Sequence, residues 1–326
     1  MSAGSVDPIV SVVVATHGRA GLLPRLVHAI EQQSGCGSIE LVIVDDASPD
    51  TTWAQLERLR GDATIPLQIH RLPQNRGPAT ARNIGWRAAS ARLIAFTDDD
   101  CTPSPDWLAA IVAGLGTHDI VQGRTLPDPA QDANRGPFSH TMHVKGENGL
   151  YATCNIGYRR EVLERVGGFD ESFRWPYGED IDLAWRAKEA GATTAFVRDA
   201  VVHHDIRPAS VKAHLRDLRR RSGIVQVVRS HPALRSRFPQ RLFVRPTHPQ
   251  ALLAAAGLAV ALSSRPLAVR LAGLALVGPY VHSFRVGAGP VDSDTHLAHL
   301  PLSLISDLAE IGVLAAASVR ERTLVL

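Results

Sequence analysis

Cysteine is scarce: Cys36, Cys101 and Cys154 are the only three in 326 residues, odd in number, far apart and without a CxxC pair. That excludes a disulfide-stapled scaffold, argues against a zinc or redox site, and fits a reducing compartment. No uncharged apolar run reaches the ~20 residues that span a bilayer. Residues 251–262 and 267–281 are apolar but short, Arg270 interrupts the second, and a third run, 296–319, contains Asp307 and Glu310. The opening residues 1–8 lack both a basic segment and an apolar core, so they do not read as a secretory signal. Charge of one sign is lacking too, with 35 basic against 32 acidic residues. With 45% apolar residues, a disordered or collagen-like chain is excluded, and the length allows a large domain with an appendage.

Charge is unevenly placed. Residues 1–204 carry 19 basic and 25 acidic side chains, residues 205–245 carry 11 and 2, and residues 246–326 carry 5 and 5. An acidic body is followed by a basic collar, and such a collar attracts phosphate groups. The collar has no interleaved aromatics, which speaks against a nucleic-acid binder.

The first two-thirds alternate β-branched runs with helical periodicity. Residues 9–15 and 39–44 read as strands buried on both faces, with further strands at 67–70 and 93–97. Between them, Leu22, Leu23, Leu26, Val27 and Ile30 share a helix face. Asp50 is expected to cap a helix bearing Trp53, Leu56 and Leu59, and Ser104-Pro105 to start one bearing Trp107, Leu108 and Ile111. The order predicts an α/β fold: an open, mainly parallel sheet with helices on both faces and ligands beyond the carboxyl ends of the strands.

Those strand ends are polar: Thr16-His17-Gly18-Arg19, Asp45-Asp46-Ala47-Ser48 and Asp98-Asp99-Asp100. Three adjacent carboxylates repel unless water or a cation screens them, and alternate ones present hard oxygens suited to Mg²⁺ or Mn²⁺ carrying a diphosphate. Asn75-Arg76-Gly77-Pro78 leads into a helix carrying Arg82 and Asn83, which is either a phosphate or base clamp or a solvated surface helix. Gly167-Gly168 ends another helix. Glu179 and Asp180 open the next, where acids either complement the helix dipole or supply a general base. His203 and His204 close a strand, and one of them is a candidate third metal ligand.

Taken together, Val12–Thr16, Val44–Ser48, Asn75-Arg76-Gly77 with Ala81-Arg82-Asn83, Asp98-Asp99-Asp100, Gly167-Gly168-Phe169-Asp170 and Gly178-Glu179-Asp180 resemble the family 2 glycosyltransferases from about Ile9 to His204. The resemblance implies a GT-A type, Rossmann-like open mixed sheet and inverting transfer of one sugar from a nucleoside diphosphate to a hydroxyl acceptor. It places Thr16, Asp45, Asp46, Asn75, Arg82, Asp98 and Asp99 on the nucleotide sugar. It puts Asp98, Asp100 and His204 on Mn²⁺ or Mg²⁺, Asp180 with Glu179 at the catalytic step, and Gly168, Phe169 and Asp170 beside the acceptor. Two departures stand out: His17-Gly18 replaces the usual pair after the first strand, and the QxxRW-type motif of processive synthases is missing.

The expected organisation is a catalytic domain over 1–205, a basic helical collar over 206–248 and an apolar helical tail over 249–326. The collar reads as a helix from near Ser210 that carries Lys212, His214, Arg216 and Arg219 to Arg221. The tail reads either as helices at the cytoplasmic leaflet of the cell membrane, with a lipid-linked or envelope acceptor, or as a soluble helical appendage. Two rival functions are a sugar nucleotidyltransferase, whose Gly-rich basic loop after the first strand is not found, and a non-catalytic nucleotide-sugar-binding scaffold.

Overall fold

The structure is a computed structural model that describes residues 7–136, 138–173, 176–285 and 299–326. The expected absence of a leader falls mostly on residues 1–6, and the third apolar run begins at 296; both reach outside the described residues. The chain divides into two compact units, 1–130 with 142–205, and 131–141 with 206–326.

The first unit runs in chain order β1 (Val10–Thr16), α1 (Leu23–Glu31), β2 (Ile39–Asp45), α2 (Thr52–Asp62), β3 (Leu67–Arg71), α3 (Pro78–Ala88), β4 (Leu93–Thr97), β5 (Cys101–Pro103), α4 (Trp107–Leu115), β6 (Ile120–Pro127), β7 (Asn155–Arg159), α5 (Arg160–Val166), α6 (Glu179–Glu189) and β8 (Thr194–His204). The eight strands form one sheet in the order β3-β2-β1-β4-β7-β6-β8-β5. The β1–β4 half is parallel, as its continuous apolar strands demand, whereas β7 runs antiparallel to both β4 and β6. Val10, Val12, Leu41 and Ile43 are fully buried and pack with Leu23, Leu26, Ile30 and Trp107 in one core.

Sequence and structure differ at three starts. Helix α4 begins at Trp107, because Ser104 is tied to β8: its backbone N–H and its hydroxyl both donate to the Val201 carbonyl, at 3.0 Å each. Asp50 stands one residue before the N-cap Thr51 and instead accepts the Thr52 N–H at 3.0 Å. The segment at 154–160 contains a strand, β7, inserted between β4 and β6, with a pattern too mixed for periodicity alone.

The second unit is helical: α7 (Val211–Leu218), α8 (Gly223–Ser230), α9 (Thr247–Ala261), α10 (Leu267–Ala275), α11 (Gly278–Arg285) and α12 (Leu300–Glu321). Ser210 caps α7 by accepting the Ala213 N–H at 3.2 Å, as its position predicts. Helices α9 and α10 meet backbone to backbone at Gly257 and Gly273, where a Cβ on Gly257 would come within 2.4 Å of the Gly273 carbonyl oxygen. The basic collar is not one solvated face. Arg221 reaches both carboxylate oxygens of buried Glu310 on α12, at 2.9 and 3.0 Å.

Candidate active site

The site lies beyond the carboxyl ends of β1, β2 and β4. Asp46, just past β2, accepts the backbone N–H of Arg76 at 2.7 Å and of Gly77 at 2.8 Å, one on each oxygen. It thereby fixes the turn that launches α3. His17 lies with Nδ1 2.8 Å from the Asp46 carbonyl oxygen, and Asn75 Nδ2 lies 3.2 Å from the same ring nitrogen. Asp45 is fully buried; it is bound by Ser48 and lies 3.2 Å from Arg71 Nε. The Thr16 hydroxyl donates to Asp99 Oδ2 at 2.7 Å. Burial, and then Asp100 beside it, push the Asp99 carboxyl up to about 7.

Helix α3 carries the arginine that joins the two acidic motifs. Arg82 is buried, donating through one terminal nitrogen to Asp98 Oδ1 at 2.9 Å and through the other to Glu179 Oε1 at 3.1 Å. The residues after β4 and those opening α6 therefore face one another across a single guanidinium. Arg82 also sits over the Phe169 ring, 5.8 Å from its centroid. Its charge is held beyond the usual range because Asp98 and Glu179 outweigh the cost of burial. Asp180, next along α6 and only partly open to solvent, is pushed up to about 7, first by desolvation and second by Glu179. Glu179 is also raised, chiefly by burial. Its Oε2 is buried without a hydrogen-bond partner among the described residues, as is Arg82 Nε. Two orphaned polar atoms on one buried ion pair are what a site shaped for a polar ligand leaves.

Strand pairing builds the second acidic corner. Cys101 on β5 pairs with His204 on β8, which places His204 Nε2 3.4 Å from Asp100 Oδ1. The alternation of β8 buries His204, while His203 is only half-buried. His204 Nδ1 lies 2.9 Å from the Asp205 carbonyl oxygen, so that nitrogen carries a proton. Nε2 is thereby left facing Asp100, and Asp100, Cys101 and His204 offer ligand atoms within 4.8 Å of one another, a set able to hold a divalent cation. Arg25 on α1 secures this corner by ion pairs to Asp205 and, at 3.7 Å, to Asp128.

Gly168, Phe169 and Asp170 are drawn in by a residue whose role sequence reading left unassigned. Asn83 on α3 donates to the Phe169 carbonyl at 2.9 Å and to Glu171 Oε1 at 2.8 Å, while its Oδ1 accepts the Phe169 N–H at 2.9 Å and Trp86 Nε1–H at 3.0 Å. Gly168 has φ +80°, and a Cβ there would sit 2.5 Å from Asn83 Oδ1, so glycine is required for the clamp as well as for the turn. Asp170 instead turns to the Ser172 N–H at 2.8 Å. Arg19, 3.9 Å from Asp100, and Glu171, 2.8 Å from the Thr80 hydroxyl, also join the site. Adjacency to the strand end was the available signal for Arg19; the Asn83 and Glu171 contacts are long-range and had none.

Residues 11–167 match the model described as glycosyl transferase family 2, and residues 93–287, more than half of the chain, match that of glycosyl transferase family group 2. The chain belongs to the family 2 glycosyltransferases.

Among relatives of this glycosyltransferase, glycosyltransferase AglE of Haloferax volcanii is 29% identical over 214 residues, covering 63% of this chain and 69% of the relative. Succinoglycan biosynthesis protein ExoO of Rhizobium meliloti is 31% identical over 231 residues, covering 64% of each chain. Pre-mycofactocin glycosyltransferase of Mycobacterium tuberculosis is 29% identical over 212 residues, 61% of this chain but only 43% of its own length. The solved structure of mannosyltransferase PcManGT from Pyrobaculum calidifontis in complex with GDP-Man and Mn²⁺ shares the fold. It has a TM-score of 0.58 at 22% identity, over 93% of this chain and 88% of that one. TarS residues 1–349 of S. aureus in complex with UDP-GlcNAc also shares it, with a TM-score of 0.54 at 18% identity over 96% and 92%. The fold is thus the GT-A type, with a mixed sheet and C-terminal helices.

Proposed function

We propose that this glycosyltransferase moves one sugar from a nucleoside diphosphate to a hydroxyl acceptor, with inversion and with the help of Mn²⁺ or Mg²⁺. The observation that carries the reading is the Arg82 fork, which brings Asp98 and the Glu179–Asp180 pair to one place. Thr16, Asp46 and Asn75 line the strand ends where a nucleotide rests, with Asp45 and Asp99 as buried supports behind them. Asp98, Asp100 and His204 would hold the divalent ion, which when bound supplies Lewis-acid stabilisation for the charge that grows on the departing diphosphate.

Asp180 is the general base. Its raised affinity for a proton suits removal of a proton from an alcohol as the new bond forms, a contribution of roughly 10²–10⁴-fold in rate. Glu179 is pinned by Arg82 through one oxygen and keeps the other for the acceptor or for orienting Asp180. The Phe169 ring packs edge-on against Phe96 at 5.3 Å, which gives the acceptor side a rigid apolar wall flanked by Gly168 and Asp170. One base and attack opposite the leaving group invert the anomeric carbon.

The second unit supports a membrane-facing role, with a lipid-linked or cell-envelope acceptor as the favoured class and the inner face of the membrane as the proposed location. Residues 246–291 contain no Asp or Glu. Leu262, Leu267, Leu271 and Leu274 there are 83%, 68%, 55% and 51% exposed. Such an apolar face edged by Arg265, Arg270 and Arg285 matches an anionic leaflet. By length and composition, 267–285 and 300–321 are the two described stretches long and apolar enough to cross a membrane, but the second buries Asp307 and Glu310 inside the unit. A panel of nucleoside diphosphate sugars, assayed with Mn²⁺ and with chelator and followed by NMR of the product, tests the proposal. Transfer that survives chelation, or retention at the anomeric carbon, would overturn it.

A further inference from the structure

The second unit contains a polar centre that glycosyl transfer does not use. His248 lies in the first turn of α9, and Asp307 and Glu310 stand one turn apart on α12. His248 and Asp307 are fully buried and Glu310 is 1% exposed, yet the three offer ligand atoms within 4.8 Å of one another. Neither ring nitrogen of His248 makes a hydrogen bond among the described residues. An imidazole buried in that state loses the hydration of both nitrogens with no hydrogen bond in return.

The carboxylates beside it are held from behind. The Tyr280 hydroxyl donates to Asp307 Oδ2 at 2.9 Å. Arg221 donates to both oxygens of Glu310, and Arg245 Nε donates to Glu310 Oε2 at 2.9 Å. Oriented carboxylates backed by donors, with a bare imidazole facing them, make up the inner and outer layers of a metal centre. We propose that His248, Asp307 and Glu310 form a second cation site, structural and of the zinc class. Calcium and magnesium take oxygen ligands, and the imidazole of His248 does not suit them. A ligand set that includes imidazole selects a zinc-like ion. Tetrahedral metal–ligand bonds of about 2.0–2.2 Å set donors about 3.3–3.6 Å apart, so binding draws these ligand atoms, now within 4.8 Å of one another, together by up to about 1.5 Å.

The test uses full-length Asp100→Asn protein, which lacks an intact first site, stripped with chelator and dialysed against micromolar Zn²⁺, with bound metal measured directly. One tightly held equivalent is expected, along with a rise in melting temperature and visible absorption after Co²⁺ replacement. His248→Gln and Asp307→Asn, each added to that background and checked for fold by circular dichroism, are each expected to weaken uptake at least tenfold and to abolish the rise in melting temperature. No uptake by the Asp100→Asn protein, as expected if waters fill the centre, would overturn the proposal. So would uptake that survives either added substitution.

Discussion

Asp99 and Asp180 show how differently two raised carboxyls read in a functional assay. Asp99 is 8% exposed and accepts the Thr16 hydroxyl, while Asp180 is partly open to solvent at the start of α6. With its folded-state value near 7, Asp99 gives stability that is complete below about pH 4 and is lost as pH rises through 7. Asp99→Asn is therefore expected to melt progressively higher than the parent between pH 4 and 8, by an equivalent of about 1–3 kcal/mol at the upper end, read by thermal melts across that range. Asp180→Asn is expected to lower transfer about 10²–10⁴-fold while donor affinity stays within about twofold, read by kinetics and calorimetry. The Asp98–Asp100 triplet stood out in the sequence as like charges placed after an apolar strand, and Glu179-Asp180 as paired acids opening a helix. Their connection through Arg82 did not, since it spans 97 residues of chain and depends on how α3 faces α6.

Element by element, β-branched runs and helical faces were plain where burial follows the pattern of the segment itself, on both faces in β1 and β2 and on one face in α1. They failed at β5 and β7, short strands whose pairing comes from neighbours rather than from their own composition. The same long-range logic hides the α3 clamp. Asn83 ties α3 to the loop at 168–171 by three hydrogen bonds, two to the Phe169 backbone and one to Glu171, while Trp86 on its own helix steadies the amide by a fourth. Asn83→Ala is expected to cost about 2–4 kcal/mol, because it leaves buried backbone groups unmet. Urea unfolding with unchanged slope would confirm it; a loss below about 0.5 kcal/mol would not fit. Gly168→Ala is expected to cost about 1–3 kcal/mol from positive φ and crowding against Asn83, and to impair acceptor use more than donor binding in steady-state kinetics.

Across the whole chain, the composition shift near residue 205 marked a change of character, and the chain divides there apart from residues 131–141, which group with the second unit. What composition did not show is that part of the basic collar is spent inside the second unit, on Glu310. Exposed apolar side chains then become the stronger sign of membrane contact. Leu271→Glu with Leu274→Glu is expected to cut sedimentation with anionic phospholipid vesicles at least tenfold while soluble donor hydrolysis is kept; equal sedimentation would count against the membrane role. The central claim is an acidic site that grips a divalent ion and the donor together, with a separate base alongside. Calorimetry of donor binding with and without Mn²⁺ tests it most directly. Mn²⁺ is expected to tighten binding of the preferred nucleoside diphosphate sugar at least tenfold in the parent and in Asp180→Asn, and to have no effect in Asp100→Asn. Equal affinity in all three proteins with and without the ion would contradict it.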